Sequence, residues 1–399
     1  MPKKQKKIVL KESKFVNFTP IDKSVEAALY YGFNSAKQSQ TNKEDIQKAN
    51  SLKESWVRNC QGLPWISSQD FIEERIALLR EYAEKNMSSL PQPVMIAYES
   101  NSRKERGKTS FNLEVIGTQR SIAEALLIKA ATAILEDNGY KNITLEINSI
   151  GDKESLNKFS KDLTNYFKKS LNELSAHCRQ NFKKDPFYVL SCNTCECTKT
   201  KEGAPTSISC LSDASRLHFK EVLEYVEIMG IPFEINNFLV PDKKYCSQTI
   251  FEIKNAENKK EVLAIGFRYD GLTQKLGIKK EIPGAGIKII LKKKTNAKKI
   301  SKLPKPQAFY IQLGDEAKHR SLEVIEMLRK EKIYVYQMLG RDKFGSQFSL
   351  AEKMKVPYVI IMGKKEFLEN SVMVRENLTR SQETVAISEL AKYLKKLKN

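Results

Sequence analysis

Long apolar runs are missing from this chain. None of its hydrophobic stretches approaches the ~20 residues needed to cross a bilayer, so a membrane-spanning protein is not expected. The N-terminus, MPKKQKKIVLKESK, is basic, but its apolar run is only Ile8-Val9-Leu10. That is too short for the core of a secretory signal, so the cytoplasm is the expected location. Cysteines number 7, an odd count in a long chain without a signal, which argues for reduced thiols rather than a disulfide framework. Cys192 and Cys195 have metal-ligand spacing in Cys192-Asn193-Thr194-Cys195-Glu196-Cys197. The second pair that a zinc site needs is absent, since Cys197 and Cys210 lie far apart, and no metal is expected. Histidines number 3: His177 and His319 have no neighbour that would suggest a triad, and His218 sits in a helical pattern as a packing residue. Acidic residues are also short, 48 against 68 lysines and arginines, leaving a formal charge of +20. An excess of that size favours a polyanionic partner, because Lys and Arg release counterions from phosphates.

What is present is ordinary for a globular protein: 41% hydrophobic and 29% charged residues over 399 positions, enough for two or more domains. No internal repeat is visible. A helix is expected from Ser24 to Tyr31, followed by a polar stretch whose low hydrophobicity reads as loop up to residue 60. Residues 72–86 have helical spacing, with Ile72, Ile76, Leu79 and Ala83 on one face. PVMIAY (93–98) and FNLEVIG (111–117) read as an antiparallel pair around a charged connection. A long helix over 121–138 stops at Asn138-Gly139, and ITLEINSIGD (143–152) alternates as a strand. Helices are expected over 153–175 and from Ser212 to Met229, and strands at 232–240, 249–254, 261–268 and 286–291. The Lys-rich, Pro-bounded segment 292–306 reads as a linker. Beyond it a β-α-β-α-β alternation predicts a mixed sheet flanked by helices, with Asp315 capping the first of them.

Several segments resemble the histidyl-tRNA synthetase family, in the correct order and over most of residues 90–399. They are Gly266-Phe267-Arg268-Tyr269-Asp270-Gly271-Leu272 with the Pro-Gly segment and strand after it, the strand ending at Asp152, IPFEINNFLVPDKKYCSQTIFEI (231–253), and LGRDKFGSQFSLAEKMKVPYVIIMG near the C-terminus. The resemblance implies an α+β fold: a class II synthetase-like antiparallel sheet with helices, plus a C-terminal α/β anticodon-binding domain with a mixed five-stranded sheet. The expected division is 1–291, a 292–306 linker, and 307–399.

The resemblance also assigns roles. Arg103 stands at the motif 2 arginine that meets the α-phosphate, and Arg106 at the next basic residue. Glu114 matches the carboxylate that receives the substrate amino group; Tyr245, Arg268 and Tyr269 belong to the same amino-acid pocket. Arg341, Lys343 and Gln347 match a surface that contacts tRNA. Departures are concentrated in the chemistry. The family's catalytic Arg-Gly-Leu-Asp-Tyr-Tyr segment reads Pro241-Asp242-Lys243-Lys244-Tyr245-Cys246, and its motif 3 arginine is Lys293. Only Gly107–Ser110 remains of the motif 2 loop, and Ser110 replaces a glutamine. Lysine lacks the bidentate fork with which arginine holds phosphate. Arg103 and Lys293 are thus the remaining catalytic candidates, in a degenerate site. The expectation is a synthetase-like protein that binds tRNA or another RNA, with histidine adenylation lost or weak. A divergent histidine–tRNA ligase, with ATP and Mg²⁺ as cofactors, is the alternative. A regulatory subunit of histidine biosynthesis fits less well, since those relatives lack the anticodon-binding domain. The dimer-forming motif 1 is eroded to a polar, proline-free Ser35–Asn42, so a homodimer is implied by family but not by this segment.

Overall fold

In a computed structural model that describes residues 22–52, 68–100, 107–192, 197–240, 244–258, 261–292 and 305–397, the chain builds two sheets, each covered by helices. The first part carries α1 (Lys23–Tyr30), β1 (Asn34–Ser35), α2 (Lys43–Leu52), α3 (Ser68–Glu84), β2 (Val94–Ser100), β3 (Lys108–Ile116), α4 (Ile122–Asp137), β4 (Ile143–Gly151) and α5 (Lys153–Lys169). There follow α6 (Ala176–Phe182), α7 (Phe187–Ser191), α8 (Thr198–Glu202), α9 (Asp213–Ile228), β5 (Phe233–Ile235), β6 (Ser247–Asn255), β7 (Val262–Arg268), α10 (Leu272–Lys275) and β8 (Gly284–Lys292). The second part holds β9 (Ala308–Gln312), α11 (Asp315–Lys330), β10 (Val335–Gln337), α12 (Phe344–Met354), β11 (Tyr358–Met362), α13 (Lys364–Leu368), β12 (Ser371–Glu376), β13 (Gln382–Ala386) and α14 (Ile387–Lys396).

The eight-stranded sheet runs β1-β2-β3-β8-β7-β6-β4-β5. Its pairings are antiparallel except at the two edges, where β1 lies parallel to β2 and β5 parallel to β4. Both faces are covered, so strands such as β8 are buried on both sides and read as nearly continuous apolar runs. On one face α4, α1 and α9 pack against Leu113, Val115, Ala285 and Ile287. α4 is buried almost all round and stops at Asn138-Gly139, where Gly139 takes φ +97°, a region that disfavours any side chain. On the other face α3 contributes Phe71, Ile72, Ile76 and Leu79 against Ile96, Tyr98, Ile250 and Phe267. The result is helix, sheet, helix, an α+β architecture.

The five-stranded sheet has the order β10-β9-β11-β12-β13, parallel through its first three strands and antiparallel beyond. Tyr31 and Gly32 form its seam with the first sheet. The Tyr31 hydroxyl donates to Glu326, Gln337 Nε2 donates to the Tyr31 carbonyl at 2.7 Å, and Arg329 reaches Asp137 at 2.7 Å. Leu322, Ile325 and Leu339 join the first core directly.

Three expectations needed correction. The polar stretch after Tyr31 contains α2, whose start is closed by reciprocal bonds between Asn42 and Asp45 and which Arg80 clamps onto α3 through Asp45 at 3.0 Å. Charge pairing, with only Ala49 and Leu52 joining the apolar cluster beside α3, holds that helix. The strand expected over 232–240 is only Phe233–Ile235. Asp315 is the first helical residue and Gly314, at φ +91°, occupies the cap. Most of the linker, 293–304, lies outside the described residues, as do residues 53–60. Among the described residues no helix is long and apolar enough to cross a membrane.

Candidate functional site

The register of the large sheet decides which side chains meet. Ile96, Glu114, Gly286 and Phe267 stand in one cross-strand row, and Tyr98, Asn112, Lys288 and Ile265 in the next. Directly opposed residues share a face, so this set points at α3.

Glu114 is fully buried. The Tyr269 hydroxyl donates to its Oε2 at 2.7 Å. Arg75, from α3, brings Nε to 3.3 Å from the same oxygen and Nη2 to 3.2 Å from Oε1. The Arg75 guanidinium, 1% exposed, lies 3.5 Å from the Phe71 ring centroid, 4.4 Å from Phe267 and 5.0 Å from Tyr269. Burial pushes the Glu114 carboxyl up to about 7, although Arg75 and the Tyr269 hydrogen bond pull the other way. The contact is imperfect: Arg75 Nη1 and Nη2, Glu114 Oε1 and the nearby Asn112 Oδ1 lack an aligned hydrogen-bond partner. Gly286 makes room for the pair, since a Cβ there would overlap both Glu114 Oε2 and Arg75 Nη2.

One residue earlier on α3, Glu74 accepts from Lys288 Nζ through both oxygens at 3.1 Å. Along the same face Lys254 lies 2.7 Å from Glu146 and 3.3 Å from Glu252. Glu114, Glu74, Glu146 and Glu252 thus each already face a cation from the chain. That donor set does not fit Mg²⁺, which needs oxygens free to coordinate it.

Arg268 and Tyr269, expected in the pocket, have different roles. Arg268 is fully buried and gives hydrogen bonds to Glu124 Oε1 and Oε2 at 2.8 and 2.6 Å, to the carbonyls of Thr118 and Arg120 at 2.9 and 3.0 Å, and to Asp270 at 3.1 Å. It ties β7 to the start of α4, and its donors are committed there. His218 Nε2, 2.8 Å from Glu124, completes the cluster as a packing residue. Burial works to raise the Glu124 carboxyl, but Arg268 and then His218 outweigh it and hold the group at about 2. Tyr269 does reach the face, through Glu114. Tyr245 is buried in the same apolar cluster, its ring 5.8 Å from Phe267. Arg103, Arg106 and Lys293 lie outside the described residues, as do 241–243.

Of the expected RNA-contacting trio, Gln347 is corrected outright. It is fully buried, accepts from Gln312 N at 3.3 Å and donates to the Gln312 carbonyl at 2.9 Å, closing α12 onto β9. Arg341 is half-buried and its Nε lies 3.4 Å from the Gln92 carbonyl, while Asp342 pairs with Lys318 at 2.5 Å and with Arg120. Only Lys343 is open to solvent. On the outer side of α12 a groove of about 490 Å³ is lined by Phe348, Lys355, Arg375, Asn377, Leu378 and Arg380, together with Glu352 and Glu376. Arg375 stands 5.1 Å over the Phe348 ring, and Phe344, 42% exposed, stacks on Phe348 at 5.4 Å and 19°.

The sequence reading missed Arg75 because a helical stripe of Ile72, Ile76 and Leu79 suggests that the charged residues between them face water. One signal was available: Lys288 is a lone lysine inside GAGIKIIL, and a buried lysine demands a carboxylate. The cysteines of the candidate metal loop, Cys192 and Cys197, pack with Cys210 among Phe159, Phe187 and Leu190; Cys195 lies outside the described residues.

Both the antiparallel sheet and the second domain are those of a class II aminoacyl-tRNA synthetase-like protein. The anticodon binding domain family matches residues 307–397. Histidine–tRNA ligase from Bacillus velezensis is 29% identical over 340 residues, spanning 81% of this chain and 80% of that protein. The Bacillus subtilis ligase is 28% identical with the same coverage. The crystal structure of apo S. aureus histidyl-tRNA synthetase overlays with a TM-score of 0.48 at 22% identity, covering 93% of each chain. These matches support the histidyl-tRNA synthetase family, to whose ligases the chain is similar over about four fifths of its length.

Proposed function

We propose that this protein binds tRNA or a related RNA, in the cytoplasm, and that its histidine adenylation is lost or weak. Its working parts are a synthetase-like domain, 1–291, and an anticodon-binding domain, 307–399, joined by 292–306. The observation that carries this reading is the state of Glu114. The carboxylate that the family uses for the substrate amino group is buried and already faces Arg75 and Tyr269. The sequence supports the same conclusion, because Pro241 and Lys293 stand where arginines would stabilise the developing phosphate charge. Losing one such donor typically costs ~10²–10³ in rate. RNA affinity is supported by the charge of +20 and by the groove on α12, where aromatic rings and arginines offer stacking and phosphate contacts. Lys343 stands at the start of the same helix, α12.

A working, divergent histidine–tRNA ligase is the second reading, favoured by similarity to ligases over 81% of the chain. In that case Arg103, Arg106 and Lys293 would face ATP. Histidine-dependent ATP–pyrophosphate exchange separates the two. We expect exchange at background, together with tRNA binding that weakens steeply as salt rises. Exchange at the rate of an ordinary ligase overturns the first reading.

A further inference from the structure

We infer that Arg75 is the resident occupant of the amino-acid pocket: a side chain of the protein held where a free ligand's cationic group would otherwise sit. The inference rests on the reading of Glu114 given above and deepens it. The site is built to take a compact organic cation, an alkylammonium or a guanidinium.

Three observations carry it. Most of the cage belongs to the sheet and its continuation: Glu114 on β3, Gly286 on β8, Phe267 on β7 and Tyr269 just after it. α3 supplies Arg75 and one ring, Phe71. The walls that recognise positive charge, a buried carboxylate and two aromatic rings, thus stand independently of the cation they hold. Second, Gly286 lets the Glu114–Arg75 contact press directly against β8, in space that any side chain would take up. Third, the fit is that of an occupant. Arg268, a structural arginine in the same sheet, uses every arm of its guanidinium in hydrogen bonds, whereas both terminal nitrogens of Arg75 are buried without an aligned partner. A group evolved as a strut should satisfy its donors. A group filling a pocket shaped for something smaller need not.

Removing the Arg75 side chain should therefore uncover a cation site rather than a featureless cavity. The test is Arg75→Ala, followed by thermal denaturation against methylguanidinium, with sodium chloride at equal ionic strength as the control. We expect the variant's Tm to fall, and methylguanidinium to restore about 2 °C at ten times its half-saturating concentration. Wild type should not respond. Adding Glu114→Gln to the variant should abolish the rescue, because the cage then lacks its anion. If Arg75→Ala does not fold alone, refolding yield with and without methylguanidinium gives the same answer: recovery supports occupancy, and no recovery overturns it. A folded variant that ignores methylguanidinium, or a rescue that survives Glu114→Gln, also overturns it. Wild-type pyrophosphate exchange with histidine would instead overturn the reading beneath it, whereas silent wild type with an unresponsive variant removes only the occupancy inference.

Discussion

Two arginines are buried in the same sheet, and they are held in opposite ways. Arg268 meets a carboxylate kept at about 2, and each of its terminal nitrogens has an aligned acceptor. Arg75 meets a carboxylate raised to about 7, in a ring cage, with terminal nitrogens that lack aligned partners. The difference separates a strut from a plug. Breaking a buried pair is costly when the partner must stay charged, and less so when it can take up a proton.

That contrast is open to attack, beginning with the largest effect. Arg268→Met should destabilise by ~3–5 kcal/mol in chemical denaturation, since Glu124 would be left charged and enclosed. Arg75→Met should lose only about 1–3 kcal/mol, the cost of one unpaired buried acceptor. Equal losses would erase the distinction. Gly286→Ala should cost about 1–3 kcal/mol, through overlap with Glu114 and Arg75. Little change there would mean that the pair can relax away from β8. The pH profile tests the electrostatics with sign. Glu114 is raised from an ordinary 4.5 to about 7, so the folded state binds more protons across that window and its contribution to stability declines as pH rises from 4.5 to 7. Glu124 is lowered from 4.5 to about 2, so its contribution is present above 4.5 and disappears as pH falls toward 2. Glu114→Gln should remove the first slope and leave the second, read from Tm against pH. The smallest effect belongs to the surface pair Lys332–Glu26, at 3.2 Å and with Lys332 66% exposed. Lys332→Ala should stay within about 0.5 kcal/mol of wild type; a larger loss would show that the seam depends on its rim.

Local pattern made much of the fold legible. The alternation in ITLEINSIGD, the Asn138-Gly139 stop and the β-α-β-α-β order after residue 307 each follow from a few neighbouring residues. α2 was hidden because polar clamps replace the apolar stripe that marks most helices. The site was hidden for a different reason. Glu114 was identifiable by resemblance, but what faces it was not: Arg75 is 39 positions away, Tyr269 is 155 away, and Lys288 meets Glu74 across 214. Burial of a charge depends on its distant partner, which no window of sequence contains. Gln347 shows the converse, a polar residue on a helix that reads as surface until the backbone of β9 is seen to need it.

The seam at Tyr31 has a mechanical consequence. Glu326 and Gln337 grip that one residue from two elements of the C-terminal domain, by its hydroxyl and by its carbonyl, while Arg329 anchors to Asp137. Contacts at several points oppose both swinging and twisting of one part against the other. An RNA bound on α12, as proposed, would then be presented to the large sheet at a constant reach, as by a calliper set and locked, and contrast-matched neutron scattering should return the same protein envelope with and without it.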